Sequence, residues 1–326
     1  MKNLSAISLM LIFSLTTHSV SAKIWRVNNM TGVTADFNNL QSAYDAATAG
    51  DTIHIEPSVN NYSGVSSYKR LVWLSVGDFL TQNPGNQFTN YPSYISYLNF
   101  YTGSEGSVVS ARVGNLNINS NEISIIRSSI GGSMDINSSN CVVLQSYVNG
   151  RIGLNGTNNV ISNNIIANGL TMDYNTSSAV ITNNIFNRTI YAYVGFSYNN
   201  ISIKNSVFQN NISILGQITF DAFNSTFSNN MCPDNSFPAG NGNLRNVDMS
   251  TVFENPNGTS DKDMVTKAGS PSIGVGYGGG DLGPFGGSTP YKLALQPAIP
   301  AITNISTPSS TGANTIQVTI SAKSNN

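Results

Sequence analysis

The stretch 123–148, ISIIRSSIGGSMDINSSNCVVLQSYV, contains one short pattern twice, and the pattern recurs four more times before residue 230. Each copy ends on an apolar residue, and two polar residues stand three and two positions before it. The closing residues recur at intervals of 18, 18, 20, 22 and 19 residues and are Ile130, Val148, Ile166, Phe186, Phe208 and Phe227. Repeats of this length that cannot bury an apolar face alone are typical of stacked solenoids.

Apolar and polar residues alternate around each closing position, as at Ile123 and Ile125 before Ile130 and at Met134 and Ile136 after it. Period-two alternation predicts strands with one inward face. Because the copies follow each other in register, strands of successive turns are expected to be parallel. Two clear strands and a short third one per turn predict an all-β fold, a single-stranded right-handed parallel β-helix with three-strand rungs.

The polar pairs fall where the chain must turn between strands. Asn tolerates the left-handed backbone region, and stacked Asn side chains can bond one another from turn to turn. We therefore expect this column to be structural. After Phe186, its predicted members are Asn205-Ser206 and Asn224-Ser225.

The first 22 residues have the features of a secretory signal: Lys2, an apolar run over residues 7–15, and small residues up to Ala22. We expect cleavage near Ala22 and a secreted, periplasmic or cell-surface protein. No later segment reaches about 20 apolar residues, so no membrane span is predicted.

Cys141 and Cys232 would be separated by roughly 20 Å at about 4.8 Å per turn, so we expect two free thiols.

An apolar stripe that includes Leu40, Ala43 and Tyr44 and ends at Gly50 predicts an N-terminal capping helix. The stretch from Ala35-Asp36-Phe37 through Gly50-Asp51-Thr52-Ile53 resembles the N-terminal cap of pectin-lyase-like β-helix proteins. Residues 79–84, 103–107, 268–274 and 281–286 look like features of a secreted bacterial group of these proteins, largely uncharacterised. The resemblance spans roughly residues 24–300. It implies the fold, and it leaves open lyases, hydrolases and binding proteins.

The composition changes near residue 290, where Pro, Ser and Thr become frequent. We therefore expect a capped solenoid over 23–287 and a tail over 288–326 that ends in a strand. That strand either lies back along the solenoid or pairs, through residues 315–322, with a partner protein's sheet edge.

Charge is scarce, at 10% of residues with a net charge of −1, which argues against a nucleic-acid partner. After residue 22 the chain has one histidine, His54, expected on the surface. A Ser-His-Asp or Cys-His arrangement would have to use it, and a His-rich or Cys-rich zinc site is excluded.

Glycoside hydrolysis needs two carboxylates that face one cleft. Weak catalytic candidates are Asp135 and Asp173, with Arg151 on the turn between them. The calcium-binding acidic row expected of pectate-lyase-like enzymes is missing, so no cofactor is predicted, although oxygen-rich residues could hold Ca²⁺. These are Glu254, Asn255, Asn257, Asp261 and Asp263.

The longest intervals contain aromatic residues, and Tyr faces beside Asn and Asp suit sugar rings. The predicted carbohydrate-binding residues are Asp173, Tyr174, Tyr191, Tyr193 and Tyr198. Three functions compete on these observations. The first is a non-catalytic protein that binds a polysaccharide or surface glycan or acts in adhesion, and the second is a polysaccharide lyase or glycoside hydrolase. The third is a structural component that docks by its terminal strand. Whether the chain is an enzyme stays open.

Overall fold

The computed structural model describes residues 22–172, 176–186, 200–214, 219–307 and 316–325. Its strands stack in parallel and form a β-solenoid of about eight turns, which confirms the predicted fold class. The expected signal sequence lies outside the described residues except for its last position, Ala22.

The strands of the solenoid form three columns. Column 1 consists of Ile24–Val27, Thr52–Ile55, Val72–Leu74, Val108–Ser110, Ser124–Ile126, Val142–Leu144, Asn159–Ser162, Ala179–Thr182, Val207–Gln209 and Thr226–Ser228. Column 2 consists of Ser129–Ile130, Tyr147–Val148, Ile165–Ile166, Ile185–Phe186 and Ile212–Ser213. Column 3 consists of Val65–Ser67, Tyr94–Phe100, Arg112–Ile118, Met134–Ile136, Ile152–Leu154, Leu170–Thr171, Asn200–Lys204 and Thr219–Phe223.

The long strand Arg112–Ile118 of column 3 pairs with the first strand of column 2 as well as with the next strand of column 3. Within Arg112–Ile118, Arg112 pairs with Ser129 of column 2, whereas Leu116 pairs with Met134 of column 3. The three-strand rung predicted from the repeat is present from residue 124 onward, where residues 131–133 separate the two short strands. In the turn before it, two strands take the place of three.

The core is built from like residues stacked in register. In column 1, Val109, Ile125, Val143, Ile161 and Ile181 lie above one another and are all fully buried. Each such side chain contributes about 1.5–3 kcal/mol through burial of its apolar surface. The alternation read in the sequence is therefore the inward face of these strands.

A ladder of polar side chains fills the corner between columns 1 and 2, and we call it the corner ladder. Its members are Ser128, Ser146, Asn164, Asn184, Asn211, Asn230 and Asn243. The backbone N–H of each member donates to the side-chain oxygen of the next over 2.8–3.1 Å. The residues before the first six have φ angles of 51–57°, in the left-handed region that Asn tolerates. The predicted structural role of the Asn column is confirmed.

The predicted membership of the repeat after Phe186 is wrong. Phe208 pairs with Ile181 in column 1, and Ser213 takes the position next to Phe186 in column 2. The corner-ladder interval from Asn184 to Asn211 is 27 residues, longer than the 22 read from the sequence. The polar pairs predicted there were therefore assigned to the wrong corner.

Those two pairs, Asn205-Ser206 and Asn224-Ser225, precede column 1 instead of following it. Asn205 and Asn224 also have positive φ angles, of 44° and 47°, so both corners demand the same residue type. The rings of Phe186 and Phe208 nevertheless touch across the core at 5.6 Å. This contact explains why both positions are aromatic although they lie in different columns.

A short α-helix, Leu40–Ala46, lies where the sequence predicted one. The side chain of Asn39 accepts a hydrogen bond from the Ser42 N–H and so caps its first turn. Leu40, Ala43 and Tyr44 are buried, and the helix contacts the first strands of columns 1 and 3. The described 3₁₀ helices are Met249–Thr251, Asp261–Met264, Tyr277–Gly279 and Leu293–Leu295.

The tail forms its own hairpin, in which Ala301–Ser306 pairs antiparallel with Thr319–Lys323. The terminal strand thus pairs with the preceding part of the tail.

The tail also lies against the solenoid, in agreement with the first of the two predicted arrangements: the Phe88 N–H donates to the Ile302 carbonyl at 2.7 Å, and Arg127 Nη1 donates to the Asn325 carbonyl at 2.6 Å. Leu295 and Gln296, which we expected in the tail, are buried against the solenoid.

The buried carboxylate of Asp261 ties this rear segment to the front of the chain. Its oxygens accept hydrogen bonds from Asn83 Nδ2 at 2.8 Å and from the Ala294 N–H at 2.6 Å. The Asp78 N–H in turn donates to the Ala294 carbonyl at 2.9 Å. Burial outweighs these bonds and raises the pKa of Asp261 to about 6.

Candidate functional site

The structure places two of the predicted site residues together on the outer face of column 3. Arg151 Nη2 lies 3.0 Å from Asp135 Oδ1, and Arg151 Nη1 donates to Thr171 Oγ1 at 2.9 Å. About a third of each charged side chain is exposed, and the two charges offset each other. The other predicted site residues lie outside the described part of the chain and are Asp173, Tyr174, Tyr191, Tyr193 and Tyr198.

Asparagine side chains continue the outer face of column 3 toward the N-terminal turns. Asn117 lies beside Asp135 in the strand register, and its Nδ2 donates to Asn99 Oδ1 at 2.8 Å. Asn99 Nδ2 donates in turn to Ser66 Oγ at 3.2 Å. A primary amide has two N–H groups and two acceptor sites, so Asn99 and Asn117 keep hydrogen-bonding capacity beyond these contacts.

A second row of amides runs parallel to the first, one position beyond the strand ends. Asn155 Nδ2 donates to Asn137 Oδ1 at 2.9 Å, and Asn137 Nδ2 donates to Asn119 Oδ1 at 3.1 Å. Asn119 and Asn137 are exposed. The face therefore presents two rows of outward amides, repeated at about 4.8 Å from turn to turn.

Three tyrosines border these amides at the N-terminal end of the face. Tyr97, Asn99 and Tyr101 occupy alternate positions, and Tyr97 is 42% exposed. The Tyr97 ring lies directly on Gly64, where a Cβ would stand 2.3–2.5 Å from three ring carbons. Tyr101 stacks on Tyr68 with ring centroids 5.1 Å apart. Since its inner side rests on Gly64, the Tyr97 ring turns its other side outward.

We call this surface the column 3 face; it comprises Tyr68, Tyr97, Asn99, Tyr101, Asn117, Asn119, Asp135, Asn137, Arg151 and Asn155. Sequence reasoning missed its upstream part. The signal was present, because Asn99, Asn117 and Asp135 are spaced by 18 residues, the interval of the repeat downstream. The first two positions precede the recognised copies, where the strands are longer.

A polar cleft of about 460 Å³ lies beside column 2 and is a weaker candidate. Arg112 and Asp78 form an ion pair in it, with Nη1 3.3 Å from Oδ1. The rings of Phe79 and Tyr147 meet edge to face at 4.8 Å, and Tyr147 is buried. Its charges are thus neutralised and Tyr147 offers no open face for stacking.

The two cysteines are buried in the fold, and Asp263 of the oxygen-rich stretch is engaged in local hydrogen bonds. Cys141 and Cys232 are both free and buried, as expected, and burial raises the pKa of each thiol. Within the oxygen-rich stretch, Asp263 Oδ2 accepts hydrogen bonds from the Ser260 N–H and hydroxyl. Over the described ranges, no three His, Cys, Asp or Glu side chains gather as metal ligands would.

Among the residues that the structure describes, no helix is both long enough and apolar enough to cross a membrane. Comparison of the chain with protein-family models, with curated proteins and with solved structures finds no match.

Proposed function

We propose that this protein binds a neutral linear polysaccharide along the column 3 face, without cleaving it. The observation that carries the proposal is the exposed Tyr97 ring, held flat on Gly64 at the head of the amide rows. A sugar ring has an apolar C–H face and a rim of hydroxyl groups. An aromatic ring fits the first, and amides that donate and accept fit the second.

The direction of the amide rows favours an extended ligand. Each turn adds another amide at about 4.8 Å, so a polysaccharide that runs along the column meets new hydrogen-bonding groups repeatedly. The charged pair on the described face, Asp135 with Arg151, is internally compensated. This compensation favours a neutral glycan over an acidic one and leaves Asp135 poorly suited to act as a free catalytic base.

The signal expected in residues 1–22 and the resemblance to pectin-lyase-like proteins belong to the same proposal. They support an exported protein that meets its glycan outside the cytoplasm. A protein partner for residues 315–322 stays a prediction. One edge of Thr319–Lys323 already pairs with Ala301–Ser306, so such a partner would have to use the other edge.

The test is affinity electrophoresis of the protein through gels that contain neutral polysaccharides (xylan, mannan and β-glucan) or acidic ones (alginate and polygalacturonate). Tyr97→Ala should weaken binding of the retained polysaccharide about 10-fold, and Asn117→Ala about 3-fold. Tyr277→Ala is the matched control, because Tyr277 is 69% exposed and belongs to the rear 3₁₀ helix.

Three results would refute the proposal: no retention on any neutral polysaccharide, equal losses for Tyr97→Ala and Tyr277→Ala, or preferred retention on the acidic polymers. Circular dichroism of each variant checks that its fold is intact. Shortening of the polysaccharide during incubation with the protein would contradict the non-catalytic part.

A further inference from the structure

The carboxylate of Asp51 lies directly before the second strand of column 1, Thr52–Ile55, and the residue is only 3% exposed. Its Oδ2 accepts hydrogen bonds from the Thr48 N–H at 2.9 Å, from the Thr48 hydroxyl at 3.1 Å and from Trp25 Nε1 at 3.1 Å. Its Oδ1 accepts from the backbone N–H of Lys23 at 2.8 Å. The carboxylate therefore joins the start of the first strand to the turn that follows the capping helix.

All of these hydrogen-bond donors are uncharged. Over the described ranges, no Lys, Arg or His side chain forms an ion pair with Asp51. The Nζ of Lys23 lies instead over the Trp25 ring, 3.3 Å from its centroid. Burial acts to raise the pKa of Asp51, but the hydrogen bonds from Thr48, Lys23 and Trp25 outweigh it and lower the pKa, so the carboxylate is ionised at neutral pH. A covered charge without a counter-charge is costly, so a cation beside Oδ1 would stabilise it.

The backbone nitrogen of Lys23 is held in place from its C-terminal side. The Thr52 N–H donates to the Lys23 carbonyl at 2.8 Å, and Ile24 pairs with Thr52 in the parallel register of column 1. Ala22 is exposed, and it is the residue after which we expect the leader to be cleaved. Removal of residues 1–22 thus leaves the contacts that position the Lys23 nitrogen beside Asp51.

We propose that Asp51 is the counter-ion of a mature amino terminus at Lys23. Hydrolysis of the Ala22–Lys23 peptide bond by a peptidase of the export pathway consumes one water molecule. Ala22 leaves with the leader as a carboxylate, and the Lys23 N–H becomes an α-ammonium group. The nitrogen already lies within the range of charge-assisted N–H···O hydrogen bonds, about 2.7–2.9 Å.

Processing thereby converts a neutral contact into an ion pair. The pair fastens the first strand of column 1 to the turn after the capping helix only in the cleaved chain. This role goes beyond glycan binding and shares with the proposed function only the export step.

The experiment uses the exported protein, whose first residue is identified by N-terminal sequencing and should be Lys23. The ¹³Cα shift of that residue, followed by NMR as the pH is raised, reports the titration of its α-amino group without chemical modification. An ordinary α-amino group titrates near about pH 8. Because a neighbouring opposite charge favours the charged form, the midpoint for Lys23 should lie at least about one pH unit higher.

Asp51→Asn removes the counter-charge and should return the midpoint to about pH 8. Asp45→Asn is the matched control, because Asp45 is an exposed carboxylate of the capping helix, and it should leave the midpoint unchanged. Thermal unfolding adds a readout that a purely structural Asp51 would not move. The ion pair stabilises the wild type below the ordinary midpoint and is lost as the pH rises through the raised one, so the deficit in melting temperature of Asp51→Asn should shrink there.

The proposal is overturned if the mature chain begins at a residue other than Lys23, if the wild-type midpoint lies near about pH 8, or if a raised midpoint persists in Asp51→Asn. The wild-type titration decides even if Asp51→Asn does not fold. A chain that keeps residues 1–22 overturns both this inference and the expected export, whereas loss of polysaccharide retention in the gels overturns only the proposed function.

Discussion

Replacing Asn184 by Ala removes one member from the middle of the corner ladder. The Asn184 side chain accepts from the backbone N–H and from Nδ2 of Asn164, both at 3.0 Å. Its own Nδ2 lies within 2.8–3.0 Å of the carbonyls of Ile161 and Thr182 and of Asn211 Oδ1. Asn164, Asn184 and Asn211 are all fully buried, so water cannot replace these bonds.

The expected loss of unfolding free energy for Asn184→Ala is about 3–5 kcal/mol. The stranded Asn164 N–H accounts for about 1–3 kcal/mol, and the other lost buried hydrogen bonds account for the rest. Asn184→Ser should lose less, because Ser128 and Ser146 occupy the same column and keep an acceptor there. Asn137→Ala is the matched control, since Asn137 is an exposed asparagine in the second amide row of the column 3 face, and we expect a change within about 0.5 kcal/mol.

Urea unfolding followed by circular dichroism measures these differences, provided that the slopes agree between variants. Hydrogen exchange of the Asn164 amide gives a local readout, and its protection should fall most in Asn184→Ala. The reasoning is refuted if Asn184→Ala and Asn137→Ala cost the same, or if the Asn164 amide stays protected in Asn184→Ala.

Three further predictions concern other parts of the molecule. Because the folded pKa of Asp261 is raised to about 6, its contribution to stability is full below the unfolded value and is lost as pH rises through 6. Relative to Asp261→Asn in pH-dependent urea unfolding, the free energy of unfolding of the wild type should fall by about 2 kcal/mol between pH 4 and 7. Gly156→Ala should cost more than about 2 kcal/mol by urea unfolding, because its Cβ would lie less than 2.5 Å from fixed backbone of the preceding turn. Gly280→Ala should be neutral, because its Cβ would meet only the Tyr277 carbonyl oxygen, at an ordinary contact distance of 3.7 Å. Gly64→Ala should displace the Tyr97 ring and weaken glycan retention as much as Tyr97→Ala does, at unchanged circular dichroism.

The sequence predicted the solenoid because stacked turns impose the same demand on every copy. Ile125, Val143 and Ile161 share one environment, and so do the Asn residues of the corner ladder. The register after Phe186 could not be read, because Asn pairs before and after column 1 look alike and only the pairing distinguishes them. The outward-facing ring of Tyr97 was not predicted, since its position depends on Gly64, a residue 33 positions earlier that no local pattern connects to it.

The link from Asp261 to Asn83 and Ala294 has a mechanical consequence. A plain stack of coils would peel from its last unit inward, giving a sawtooth of small, similar force steps. Here a pull on the C-terminal end meets the bonds of Ala294, close to residue 83, before it reaches the last strand of column 1. A single large rupture should therefore come first, and the stepwise peeling only afterwards.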